Sequence, residues 1–97
     1  MSTPVKLSDS ELQTALKHLK GWSLIEKKLH REFEFPDFVE AWGFMSRAAL
    51  IAQSMNHHPD WFNSYSTVRV DLSTHDAKGI TALDVKLAEK MNSLFDS

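Results

Sequence analysis

Three of the five histidines in this chain fall between Asn56 and Asp84, as His57, His58 and His75. Imidazole is the side chain whose unperturbed pKa lets it both give and take a proton near neutrality. The stretch reads N-H-H-P-D-W-F-N-S-Y, then V-R-V-D-L, then S-T-H-D, and closes on a lone Asp84. Pro59 pushes His58 out of the helical region, so His57 and His58 lie in a loop. There they diverge, and each can meet a different part of a ligand. His75 ends a strand-like run, and Trp61 offers an apolar wall. The pattern points to proton transfer on a small planar substrate held in a shallow cleft between two loops.

Other readings of the same residues have to be weighed. His18 and His30 read as lone surface histidines without a role. Three ligands and a water would make a catalytic zinc site, but adjacent histidines aim apart and the helical H-x-x-x-H pair is missing, so no metal is expected. Trp61 reads as part core and part platform. Asp84 is the fourth residue of Thr81-Ala82-Leu83-Asp84, a helix-start pattern. It can cap that helix or orient His75, and the two readings compete for one carboxylate.

Composition narrows the function. The 97 residues suffice for one domain, read over 1–97. A net charge of -2 argues against a direct grip on nucleic acid, which needs a basic surface. With no cysteine, disulfides, thiolate catalysis and cysteine-ligated zinc are excluded. The N-terminal M-S-T-P-V-K-L-S-D-S lacks the apolar region of a secretory signal. No apolar run reaches membrane-spanning length. The expected compartment is the cytoplasm, with the nucleus open to so small a chain.

The elements that must position the histidines follow from periodicity. Ser8-Asp9-Ser10-Glu11 has capping-box spacing and opens a helix over about 9–19, stopped by Gly21. Residues 22–26 read as a strand, Lys27-Lys28 as a turn, and 29–35 as a half-buried strand in which Arg31 interrupts the apolar face. Pro36-Asp37 starts a second helix running to about Met55. It carries two apolar stripes. One is Phe38, Ala41, Trp42, Met45, Ala48, Ala49 and Ala52; the other is Phe44, Ala48, Ile51 and Met55. The first is expected to face the sheet and the second a subunit interface. Strands over 61–64 and 67–74 follow, joined by Asn63-Ser64-Tyr65-Ser66, and a third helix begins at Thr81. The order α-β-β-α-β-β-α implies an α+β fold, a four-stranded antiparallel sheet with helices packed on one face.

H-H-P-D-W-F-N-S-Y, joined to L-S-T-H-D, Asp84 and D-V-K-L-A, resembles the pterin-4a-carbinolamine dehydratase family, and A-W-G-F-M-S-R-A-A-L resembles that family's central helix. The resemblance covers nearly the whole chain. It implies a 4a-hydroxytetrahydrobiopterin dehydratase, a carbon-oxygen hydro-lyase of tetrahydrobiopterin recycling that yields quinonoid dihydropterin and needs no cofactor. It implies His57 and His75 as an acid/base pair on opposite faces of the pterin, His58 as a binding residue sharing in proton transfer, and Asp84 as the group orienting His75. His57-His58-Pro59 and Thr74-His75-Asp76-Ala77 would line the ring edge. Gln53 stands where the family often has an acidic residue, and it can donate or accept a hydrogen bond but supplies no charge. A homodimer or homotetramer through the central helix is also implied. The alternative is a protein-binding role, as dimerisation cofactor of a homeodomain transcription factor.

Overall fold

A computed structural model describes residues 5–96. Residues 1–4 and 97, which the reading as one domain includes, lie outside the described residues. The elements are α1 (Asp9–Lys17), β1 (Ser23–Ile25), β2 (Lys28–Glu34), α2 (Phe38–Ser54), β3 (Asp60–Ser64), β4 (Thr67–Leu72), a 3-10 turn (His75–Ala77) and α3 (Ala82–Asp96). The strands form one antiparallel sheet in the order β1-β2-β4-β3. This is the α+β arrangement that the periodicity implies. No helix among the described residues is long and apolar enough to cross a membrane.

Local chemistry explains the boundaries. Ser8 caps α1, and the Glu11 side chain returns to the Ser8 backbone N–H, the reciprocal pair of a capping box. The chain after α1 turns at Gly21, whose φ of 85° is a conformation glycine adopts without a steric cost. The first hairpin turns at Glu26 and Lys27, with φ 51° and 65°, one residue earlier than the expected Lys27-Lys28. Ile25 pairs with Lys28, and a two-residue hairpin turn of type I′ requires left-handed backbone at both of its residues. α2 begins at Phe38, so Pro36 precedes the helix rather than opening its first turn; Asp37 is the cap, and its carboxylate accepts the Glu40 N–H at 2.9 Å.

The core lies between the sheet's inner face and the helices. Leu29 and Phe33 of β2 and Val68, Val70 and Leu72 of β4 alternate onto that face. Arg31, the interruption in the β2 stripe, lays its guanidinium over Phe33 (4.3 Å) and Phe95 (5.0 Å) and donates to the Lys20 carbonyl. Burial draws its pKa down, and Asp96 opposes that.

The two stripes of α2 exchange the roles expected of them. Phe44 and Ala48 are fully buried, with Ile51 and Met55 half-buried beside them, so this stripe faces the sheet and cannot be an exposed interface. Trp42, 54% exposed, and Phe38 point outward with Val39 and Leu50, although Ala41 and Ala52 of the first stripe are buried. The reason is volume. Ala41, Ala48 and Ala52 let the helix approach the strands, and Phe44 fills the space left, against Phe33 at 4.7 Å and Phe35 at 5.1 Å. Two residues along a helix is about 200° of rotation, so seating Phe44 turns Trp42 to solvent.

Candidate active site

Asn56 sets the direction of His57. The C-terminus of α2 closes with the Asn56 N–H on the Gln53 carbonyl and the His57 N–H on the Ala52 carbonyl, both at 3.0 Å. This is a Schellman motif, with Asn56 at φ 51° in the place glycine usually takes. The chain reverses there and carries the His57 ring inward, while His58 and Pro59 run on toward β3.

The second wall comes from the segment after β4. The Thr74 N–H donates to the Gly79 carbonyl at 2.8 Å, closing a small loop that holds the 3-10 turn and leaves His75 exposed on it. Thr81 precedes α3, and its hydroxyl accepts the Leu83 N–H.

Asp84 joins the two walls from beneath and is fully buried. Its Oδ1 accepts from His57 Nε2 at 2.5 Å. Its Oδ2 accepts the Thr74 hydroxyl at 2.8 Å and the Thr81 backbone N–H at 2.9 Å. With the Thr74 proton committed to the carboxylate, the Thr81 hydroxyl donates to Thr74 Oγ1, 2.8 Å away. The hydroxyl protons therefore run in one direction, from Thr81 to Thr74 to Asp84. Every buried side-chain polar atom among the described residues has a partner, as a low-dielectric network requires. His57 must present a proton on Nε2 to Asp84. Its Nδ1 has no hydrogen-bond partner among the described residues and is therefore open to solvent.

Of the two expected readings of Asp84 the cap holds, and because the carboxylate has two oxygens the one left over takes a histidine. That histidine is His57 and not His75. His57 is tucked against the start of α3, whereas His75 stands on the outer side of its turn, so the expected orientation of His75 by Asp84 is corrected. Gln53 Oε1 lies 2.9 Å from His58 Nε2 and accepts its proton.

His57, His58, Thr74, His75 and Asp76 line one hollow of about 250 Å³, together with Asn56 and Ser73. Pro59, Ala77 and Gln53 lie outside its lining. So does Trp61, which is half-buried, on the sheet face shared with Val70, and packed against the core. The pleat explains this: Trp61 pairs with Val70, and directly paired residues share a face. Asn56 and Ser73 complete the lining unannounced by motif spacing, although an Asn just before His57-His58-Pro59 is the residue type that tolerates a left-handed helix exit. Among the described residues no group of three or more His, Asp or Glu is placed to hold a metal ion.

Known proteins are similar to this chain over nearly its whole length. The pterin 4 alpha carbinolamine dehydratase family model matches residues 5–94. A protein of Solibacter usitatus is 55% identical over 89 residues, 92% of this chain and 94% of the relative. One of Prochlorococcus marinus is 47% identical over 92 residues, 95% and 96% of the two chains. Both carry the name "putative pterin-4-alpha-carbinolamine dehydratase". Among solved structures, the transcriptional coactivator/pterin dehydratase of Brucella melitensis superposes with a TM-score of 0.91 at 46% identity, over 93% of this chain and 98% of that one.

Proposed function

The chain belongs to the pterin-4a-carbinolamine dehydratase family, and from that premise we propose that it removes water from a 4a-hydroxytetrahydropterin by histidine acid/base catalysis. The observation that carries this reading is the hollow of about 250 Å³ lined by three imidazoles from two separate segments. It has room for one bicyclic heterocycle, with imidazoles from opposite walls.

In the reaction the C4a–O bond breaks, the ring N5 lone pair forms a C=N bond, and the hydroxyl leaves with a proton as water. A ring N–H proton is then surrendered. His57, its Nε2–H held by Asp84, offers Nδ1 as the base. His75, exposed on the facing wall, donates the proton to the departing hydroxyl. His58, steadied by Gln53 Oε1, binds the ring edge. Asp84 is a positioning residue: it selects the His57 tautomer and balances charge when Nδ1 takes a proton. General acid–base catalysis contributes about 10²–10⁴-fold, which suffices for a carbinolamine that already loses water unaided. Dehydration of chemically prepared carbinolamine by His57→Ala and His75→Ala tests the reading. Each should lose most of the rate with the fold intact, and full activity in both would overturn it.

A second reading, as a protein-binding module, is favoured by the outward stripe of α2, where Phe38, Val39, Trp42 and Leu50 are exposed. Apolar side chains gathered on one helix face mark interaction surfaces more than scattered ones do. A homo-oligomer would cover the stripe in the cytoplasm; a transcription-factor partner would cover it in the nucleus. Light scattering of the pure protein, and of Trp42→Ser, separates the two: self-association lost in the variant supports the oligomer, and a monomer that binds a helical dimerisation peptide supports the coactivator role.

A further inference from the structure

The catalytic hollow has a neighbour. A second hollow of about 260 Å³ shares Ser73, Thr74 and His75 with the first and is otherwise lined by the β1–β2 turn and the end of the 3-10 loop. Lys27, Lys28 and Lys78 line it, against a single carboxylate, Glu26. Lys27 and Lys78 sit at φ 65° and 56°, at turn positions that fix where their side chains set out. None of the three lysines forms an ion pair with a described carboxylate. A cationic hollow on a protein whose net charge is -2 is a local reversal of sign, and such a recess concentrates anions.

We propose that this second hollow binds an anionic group, phosphate or carboxylate, carried on the pterin C6 side chain. The inference rests on the dehydratase reading. A pterin seated among His57, His58 and His75 has one substituent to direct outward, and the shared wall of Ser73, Thr74 and His75 leads it to the lysines. The histidines then act on the ring, while Lys27, Lys28 and Lys78 set which pterins are preferred. Exposed ammonium–anion pairs are individually weak, so the selectivity is a joint effect of three.

Calorimetry with three oxidised pterins tests this: a neutral 6-hydroxymethylpterin, its phosphate ester, and an analogue ending in a carboxylate. The phosphate ester should bind about tenfold more tightly than the neutral pterin at low salt, the carboxylate about threefold, and both preferences should shrink at high salt. The combined variant Lys27→Gln, Lys28→Gln, Lys78→Gln should lose the preference and keep its affinity for the neutral pterin. Equal affinities in the unaltered protein, or a preference that survives in the variant, would overturn the proposal. If the neutral carbinolamine is dehydrated but no anionic preference exists, only this inference falls. If the preference holds and no carbinolamine is dehydrated, the dehydratase reading falls and the anion site stands.

Discussion

Asp84→Asn preserves the shape of a fully buried side chain and changes only its hydrogen-bonding capacity. The carboxylate accepts from three donors, His57 Nε2, the Thr74 hydroxyl and the Thr81 N–H. An amide has one oxygen and one NH2, so at least one of these donors must face another donor. With the amide oxygen toward Thr74 and Thr81, the NH2 faces His57. The imidazole must then move its proton from Nε2 to Nδ1, which removes the base we propose there. With the amide reversed, the Thr81 N–H is left buried without an acceptor and α3 loses its N-terminal partner. A hydrogen bond to a charged group is worth about 1.5–3 kcal/mol, and a buried donor left unmet costs roughly 1–3 kcal/mol. Either orientation should therefore destabilise the protein by about 2–4 kcal/mol. For a domain of this length that is a fall in Tm of roughly 10–25 °C, measured at matched protein concentration because self-association shifts Tm. In the first orientation dehydration should also slow by about 10²–10⁴-fold. Thermal unfolding, kcat/KM and the ¹⁵N shifts of the His57 ring read the three effects. Asp84→Asn with the wild-type Tm and an Nε2-protonated His57 would refute the reasoning.

Three further outcomes are expected. Phe44→Ala, in the core at the centre of α2, should cost about 3–5 kcal/mol by denaturant titration, whereas Trp42→Ala, exposed on the opposite face, should leave monomer stability nearly unchanged; equal losses would contradict the assignment of the two stripes. Asn56→Gly should be close to neutral and Asn56→Val destabilising by about 1–2 kcal/mol, because φ is 51° there and a β-branched residue resists left-handed backbone; thermal melts of the pair decide it. Hydrogen bonds from the Ser8 backbone and side chain hold the Glu11 carboxyl below its usual pKa. A depressed folded-state pKa stabilises above the unfolded-state value, and that contribution is lost as pH falls through the folded-state value. Glu11→Gln should remove this part of the acid-side slope in stability measured between pH 6 and 3, and an unchanged slope would count against the capping box.

The residues that do not depend on distant partners were the readable ones. Alternation of Val68, Val70 and Leu72 identified β4, since the side chains of a strand reverse face at every residue. Ser8 with Glu11 marked the start of α1 through contacts three residues apart. The motif from Asn56 to Asp84 singled out three histidines as neighbours, and His57, His58 and His75 do share a hollow. Trp61 does pack on the core as expected, and only its expected part as a wall of the cleft fails, for a reason of register. Whether it reaches the cleft depends on which residue of β4 it pairs with, and the pairing with Val70 turns it to the helix side.

Residue types and short-range spacing thus determined the element order, the helix caps and the set of imidazoles, because each rests on interactions within a turn or a strand. The tertiary structure alone decided which stripe of α2 is buried, and it did so through the volumes of Ala41, Phe44, Ala48 and Ala52 against the sheet. It alone decided that Asp84 holds His57, its partner 27 residues away, rather than His75, nine positions before it. Sequence distance does not order such pairings; the path of the chain does, and here a left-handed residue at Asn56 brings the His57 ring beneath the start of α3.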